Sequence, residues 1–285
     1  MPIEMITENS EMLARAGFYW REQGGVRALT CAPLERENFA NAFSTRLGGC
    51  SPVPTNALNL AGFNEDDAAN IHENRRRFLA LFQGREWRLA TCWQVHGADV
   101  RLLSETKNAL DTNEERCDAL ATDTAHILLG VQAADCVPVV LGDARTGACA
   151  AIHAGWRGTA ASVVVRALER LREAYGTRAE DVCAAIGPAA NVCCYEVGRE
   201  VIDAFRARFV KADELLTPTR DGHARIDLQR ANRQQLTEAG VSPERIHTAP
   251  FCTMCRNDLF FSYRREKSLY GRTGRLLAVI GRNDG

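Results

Sequence analysis

The sequence predicts an α/β (α+β) fold, a mixed sheet core covered by helices in a single domain spanning residues 1–285. Three observations carry this. Short apolar runs of strand length occur at 127–131, 137–141, 149–152, 182–186 and 276–280, without the polar alternation of a half-exposed strand. Segments with helical spacing lie between and around them. No repeat, low-complexity tract or Pro/Gly/Ser linker divides the chain.

The first helix is read from Ile71, Arg75, Phe78, Leu79 and Phe82, which share one face. A second places Val164, Ala167, Leu168, Leu171 and Tyr175 together and stops at Gly176. A third is expected through Val197, Val201, Ile202, Phe205 and Phe209, and a fourth is capped by Asp227 and ends at Gly240. Strand order is not legible at this level.

Composition narrows the function classes. Lys and Arg number 35 against 36 Asp and Glu, so there is no general pull toward nucleic acid or anionic lipid. No apolar run approaches membrane-spanning length, and MPIEMITENS is acidic where a signal peptide is basic and then apolar. Eleven cysteines, an odd number with Cys193 and Cys194 adjacent, suit a reducing compartment better than a disulfide framework. The expectation is a cytoplasmic protein with no membrane or nucleic-acid partner, most of its cysteines being small buried hydrophobes.

The most informative stretch is AADCVPVVLGDARTGACAAIHAGWRG, residues 133–158. Two apolar strands flank the turn-forming GDARTG, which predicts a β-hairpin. A register symmetric about that turn sets Cys136 beside His153, with Cβ atoms about 4.5–5.5 Å apart, compatible with two ligands on one zinc. His96, in CWQVHGADV between a strand-like run and a glycine, is the candidate third ligand. Three protein ligands leave zinc an open position, the arrangement of a catalytic site. A histidine beside an apolar run is more often structural than a ligand, so spacing leaves both readings open. His72, His126, His223 and His247 have weaker contexts and are read as structural.

These residues sit within an ordered series of motifs: FSTRLGG, ALNLAG, NRRR, WQVHG, ADCVPVVLGD, HAGWRG, AIGPAANVCCYEVG, CTMC and FFSYRRE. In number and order the series resembles the laccase-domain proteins, also called the multicopper polyphenol oxidase or purine nucleoside phosphorylase family. The resemblance implies zinc on His96, Cys136 and His153, the same residues serving catalysis. It implies phosphorolysis of adenosine, inosine, guanosine and methylthioadenosine, and hydrolytic deamination of adenosine, with purine nucleosides and phosphate as the small-molecule partners.

Multicopper oxidase chemistry is disfavoured by composition. A blue-copper site plus a trinuclear cluster needs on the order of ten histidines, many in His-x-His pairs, whereas this chain has six and no such pair. Copper is expected at the Cys/His site only adventitiously. Deamination also calls for a proton-shuttling carboxylate, with Asp135 and Glu196 as candidates by position; pairing with an arginine is the structural alternative for each. For phosphate, Arg46 and Arg264 offer a planar fork, aided by the Gly48–Gly49 backbone, and Asn59 suits sugar or base. Trp156 is either a stacking platform or packing beside the site.

CTMC has the Cys-x-x-Cys spacing, with Cys193 and Cys194 as formal complements. Adjacent cysteines seldom share one metal, so no second metal site is expected there. Two other functions compete. In one, Cys136 is a nucleophile activated by His153 or His96, giving a metal-free hydrolase suited to peptidoglycan precursor editing. In the other, the chain only binds nucleosides or metal and signals to a partner.

Overall fold

A computed structural model of the chain describes residues 10–52, 57–62, 66–82, 86–104 and 116–283. Its strands are β1 (Phe18–Gln23), β2 (Val26–Cys31), β3 (Phe39–Ser44), β4 (Arg88–Ala90), β5 (Val100–Leu102), β6 (Ala119–Thr122), β7 (Ile127–Ala133) and β8 (Val137–Asp143). They continue with β9 (Cys149–Ala154), β10 (Val182–Ile186), β11 (Glu196–Gly198), β12 (Leu216–Pro218), β13 (His223–Ile226), β14 (Ile246–Thr248) and β15 (Leu276–Arg282). The helices used below are α1 (Ala32–Arg36), α2 (Ala68–Leu79), α3 (Trp156–Ala160), α4 (Val163–Tyr175), α5 (Arg199–Arg208), α6 (Leu228–Glu238) and α7 (Tyr263–Tyr270).

All five apolar runs are strands, and their lack of alternation has a simple cause: both faces are covered. Two six-stranded sheets, ordered β1-β2-β3-β15-β7-β4 and β14-β10-β8-β9-β6-β5, pack face to face. In β15, Leu276, Ala278 and Ile280 enter the core between the sheets, whereas Leu277 and Val279 face outward onto a layer that includes Phe78 of α2. In β10, Cys183 and Ala185 point between the sheets while Val182, Ala184 and Ile186 meet the side chains of α4, α5 and α6. The result is helix, sheet, sheet, helices, with parallel and antiparallel pairings in both sheets. A small third sheet, β11-β13-β12, lies beside α5.

The helices begin and end for local reasons. Asp67 caps α2 by accepting from the Ala69 N–H at 2.8 Å, and Asp227 caps α6 by accepting from Arg230 at 2.8 Å. Gly176 ends α4 with φ +70°, a left-handed conformation that glycine takes without a Cβ penalty. Two expectations need correcting. Phe82, read on the face of the first helix, lies beyond its end at Leu79, in a turn where its N–H donates to Leu79 O. Val197 belongs to β11, not to the helix with Val201, because its backbone is engaged in the ladder to Ala224 and the helix starts only after Gly198.

Candidate metal centre at the end of the β8–β9 hairpin

The predicted hairpin exists, with Val137 opposite Ala154, Pro138 opposite His153 and Gly142 opposite Cys149. The Asp143 carboxylate closes its turn by accepting from the Arg145 and Thr146 N–H groups. The symmetric register sets Gly155, not His153, across from Cys136, so Cys136 and His153 are diagonal neighbours. That diagonal spans about 7–8 Å between backbones, within reach of an imidazole and a thiol. Gly155 is required here: a Cβ would lie 2.8 Å from His96 Nδ1 and 3.1 Å from Cys136 Sγ.

His96 arrives on the 93–97 loop, which is fastened at two points. The Gln94 side chain pairs with the Gln132 backbone in both directions at 2.7 Å, as an added strand residue would. The N–H groups of Val95, His96 and Gly97 then converge on the Asp118 carboxylate at 3.2, 3.0 and 2.6 Å. Three consecutive N–H groups around one anion form a backbone nest, which the positive φ of His96 (59°) makes possible. The ligating atoms of His96, Cys136 and His153 all lie within 4.8 Å of one another, so these three can hold one metal ion.

Asp118 completes the arrangement and was not singled out from the sequence. It is fully buried, and its Oδ1 lies 2.8 Å from His153 Nδ1. Burial pushes its carboxyl up, but His153 and the nest outweigh that and hold it below the ordinary range. An ionised carboxylate only accepts, so His153 Nδ1 carries a proton and Nε2 is left for a metal. The one local signal for Asp118 is a carboxylate set directly against the apolar start, Ala119–Leu120–Ala121, of a buried strand, a place that demands a partner.

Burial opposes ionisation of Cys136, yet His153 and His96 overcome it and lower the thiol to about 6. Burial likewise opposes charge on His153, but Cys136 and Asp118 raise it to about 9. Without metal the two therefore form a thiolate–imidazolium pair at neutral pH.

The remaining predicted residues are distributed differently. Asp135, with φ +88°, turns its carboxylate away into a buried cluster, accepting from Thr253 Oγ1 at 2.7 Å, Ser262 Oγ at 3.0 Å and the Arg264 N–H at 2.7 Å. Glu196 accepts from Thr219 and Arg220 at the surface, the arginine pairing weighed for it. Arg46 is buried, with Nη1 donating to Glu266 Oε1 at 2.7 Å and to the Asn257 carbonyl at 2.8 Å, and its guanidinium over the Phe261 ring. Asn59 is also buried, its amide on Asp66 and its carbonyl accepting from Ala61 and Arg275 N–H groups. Arg264 is exposed; its guanidinium lies 5.1 Å from the centre of the Tyr195 ring, while its N–H ties it to Asp135 beside Cys136. Gly48, with φ +85°, packs on the Gly25 backbone, where a Cβ would come within 2.4 Å. Trp156 packs on the helix-side core under the Arg157 guanidinium. Trp93 and Val95, which precede His96, are instead exposed apolar side chains at 53% and 43%.

Six cysteines, among them Cys31, Cys149 and Cys183, are buried, and all eleven are free thiols. Against expectation, Cys193, Cys194, Cys252 and Cys255 do meet, with sulfur atoms all within 4.8 Å. Among the described residues His96 and His153 are the only histidines in a group of three or more metal-ligating side chains. That donor set accommodates one ion, not a trinuclear imidazole cluster. No helix among the described residues is long and apolar enough to cross a membrane.

The sequence and the fold match a defined set of proteins. A family model described as multi-copper polyphenol oxidoreductase laccase matches residues 40–283. The chain is 36% identical over 255 residues to the purine nucleoside phosphorylase YlmD of Geobacillus stearothermophilus, covering 86% of this chain and 92% of that protein. It is also 36% identical over 254 residues to the adenosine deaminase RL5 of an unknown prokaryotic organism, covering 84% and 96%. The crystal structure of YlmD from Geobacillus stearothermophilus superposes with a TM-score of 0.84 at 34% identity, covering 94% of this chain and 99% of that one. That of Bacillus licheniformis YfiH gives 0.85 at 29% identity, covering 93% and 99%. By sequence and by fold alike, the chain belongs to the laccase-domain family, with purine nucleoside phosphorylases and an adenosine deaminase among its relatives.

Proposed function

We propose that this chain is a zinc-dependent purine nucleoside enzyme, with His96, Cys136 and His153 holding zinc, that catalyses phosphorolysis of adenosine, inosine, guanosine or methylthioadenosine and hydrolytic deamination of adenosine. The observation that carries the reading is the convergence of three nitrogen and sulfur ligands with an oriented histidine and a glycine kept bare between them. Three ligands of this kind suit zinc and leave room for a further one. Zinc bound there would supply Lewis acidity and make water a nucleophile near neutral pH.

The chain's own residues do the rest. Asp118 holds the Nδ1 proton of His153 and, through the nest, the backbone of His96, so both imidazoles are set before substrate arrives. Trp93 and Val95 offer the exposed apolar surface on which a purine would stack. Of the two candidate arginines we assign phosphate to Arg264, whose N–H is tied to Asp135 beside Cys136, rather than to Arg46, whose guanidinium is paired with Glu266. Arg46 and Asn59 then position the strands and loops behind the substrate. Asp135 takes three hydrogen bonds and serves to fix Cys136 rather than to shuttle protons.

Turnover of adenosine by protein of verified zinc content, with and without phosphate, tests this against Cys136→Ala. Phosphate-dependent adenine release or phosphate-independent inosine formation is expected, and both vanish in the variant. Zinc-loaded, folded wild-type protein that turns over no purine nucleoside would refute the reading.

One observation favours a second reading. The Cys136 sulfur lies within 4.8 Å of an imidazole nitrogen of His96 and of His153, and a thiol beside an imidazole is also what a cysteine hydrolase needs, with peptidoglycan precursors as the substrate class. Activity of that kind survives chelation, whereas the zinc enzyme loses activity on chelation and regains it on adding zinc.

A further inference from the structure

We propose that Cys193, Cys194, Cys252 and Cys255 bind a second, structural zinc ion, which staples together the two loops that support the Cys136 segment.

The topology makes the cluster. β10 and β14 pair in parallel, Ala184 opposite Ile246 through Ile186 opposite Thr248, so their chains leave the sheet at the same edge. The pairing continues past the strands, with Ala249 N–H on Ile186 O at 2.8 Å, Thr253 N–H on Ala189 O at 3.0 Å and a bridge between Ala189 and Cys252. The loop after β10 carries Cys193 and Cys194, and the loop after β14 carries Cys252 and Cys255. A turn bonded from Cys194 and Tyr195 N–H groups to Asn191 O folds the adjacent pair back toward the other loop.

The geometry fits one tetrahedral ion. Cys255 Sγ lies 3.5 Å from Cys193 Sγ and 3.3 Å from Cys194 Sγ, and all four sulfurs fall within 4.8 Å of one another. With zinc–sulfur bonds of about 2.3 Å, a tetrahedron has sulfur–sulfur edges of about 3.8 Å. A disulfide would need about 2.05 Å. The Asn191 N–H points at Cys252 Sγ at 3.4 Å, the kind of donor that supports a thiolate ligand. Four sulfurs and no open position define a closed structural site rather than a catalytic one.

The consequence is positional. Thr253, between the two CTMC cysteines, donates to Asp135 Oδ1, and the Asp135 carbonyl accepts from Ala190 of the other loop at 2.9 Å. Tyr195, directly after Cys194, carries the Arg264 guanidinium on its ring. The ion would thus hold the supports of Asp135 and Arg264 from behind, without touching a reacting atom.

The test is metal content of zinc-supplemented protein purified under reductant, for wild type, for the His96→Ala/Cys136→Ala/His153→Ala variant and for Cys252→Ser/Cys255→Ser. The triple variant is expected to keep about one zinc per chain, bound by four sulfurs. Cobalt(II) reconstitution of that variant should give intense sulfur-to-cobalt charge transfer and tetrahedral d–d bands, and chelation should expose four more thiols to alkylation. These two readouts stand even if Cys252→Ser/Cys255→Ser does not fold; if it folds, it should lack this zinc and the cobalt bands. A folded triple variant that takes up no zinc overturns the proposal. So does iron in place of zinc, or peptide mapping that finds Cys255 disulfide-bonded to Cys193 or Cys194 in protein isolated without oxidant.

Discussion

Two thiol-bearing clusters meet at one short segment, the first containing Cys136 and the second bracing its neighbour Asp135 through Thr253, and they are built on opposite principles. The first mixes two histidines with one cysteine and surrounds them with a buried carboxylate, a backbone nest and a bare glycine. The second consists of four cysteines on two loops, from buried Cys252 to exposed Cys193 and Cys255, with a backbone N–H as its hydrogen-bond support. The contrast teaches where precision is invested. Three ligands, oriented through a dedicated carboxylate, suit an ion that must meet substrate; four sulfurs suit an ion that only crosslinks.

The largest effect expected on this contrast is that of pH on the mixed site. In the metal-free chain Cys136 is ionised above about 6 and His153 stays protonated up to about 9. Zinc requires a thiolate and a neutral imidazole, so between those values binding releases the His153 proton. Affinity should rise about tenfold per pH unit from about 6 to about 9, fall more steeply below 6 as Cys136 also protonates, and level off above 9. Competition with a chromophoric chelator, using Cys252→Ser/Cys255→Ser to isolate the site, measures this slope. A flat profile between 6 and 9 would contradict the ion pair. In the metal-free protein the pair's stabilisation has the same bounds, lost as pH falls through about 6 or rises through about 9.

Next in size, Asp118→Asn should weaken zinc at the mixed site by about 10- to 100-fold, the usual cost of removing the carboxylate behind a ligating histidine. Zinc retained by the four-cysteine cluster should not change, and parallel stoichiometry on the same sample checks both. Smaller again, Gly155→Ala forces a Cβ to within 2.8 Å of His96 Nδ1. Overpacking costs ~1–3 kcal/mol, so zinc affinity should drop about tenfold with the fold intact by circular dichroism. If Gly155→Ala binds zinc as wild type does, the imidazole and thiol give way to the added methyl and the bare glycine is not part of the site.

What the sequence alone determined is local. Apolar runs, helical spacing, a Gly-Asp-rich turn and the capping Asp227 are properties of short windows, and they specified β7 to β10, β15, α2, α4 and α6. The same locality made Cys136 and His153 legible as partners, since one hairpin joins them. Tertiary structure decided everything that crosses between windows. β15, the last strand, inserts between β3 and β7, and nothing local selects that order. Asp118 meets His153 because β6 pairs with β9, and Arg46 finds Glu266 across 220 positions in the chain. The four cysteines looked mismatched in sequence because adjacency argues against shared ligation, yet parallel pairing of β10 with β14 delivers both loops to one edge. The physical reason is the same throughout: turn and helix preferences act over a few residues, whereas a buried charge or thiol takes its partner from whichever strand the sheet order brings alongside.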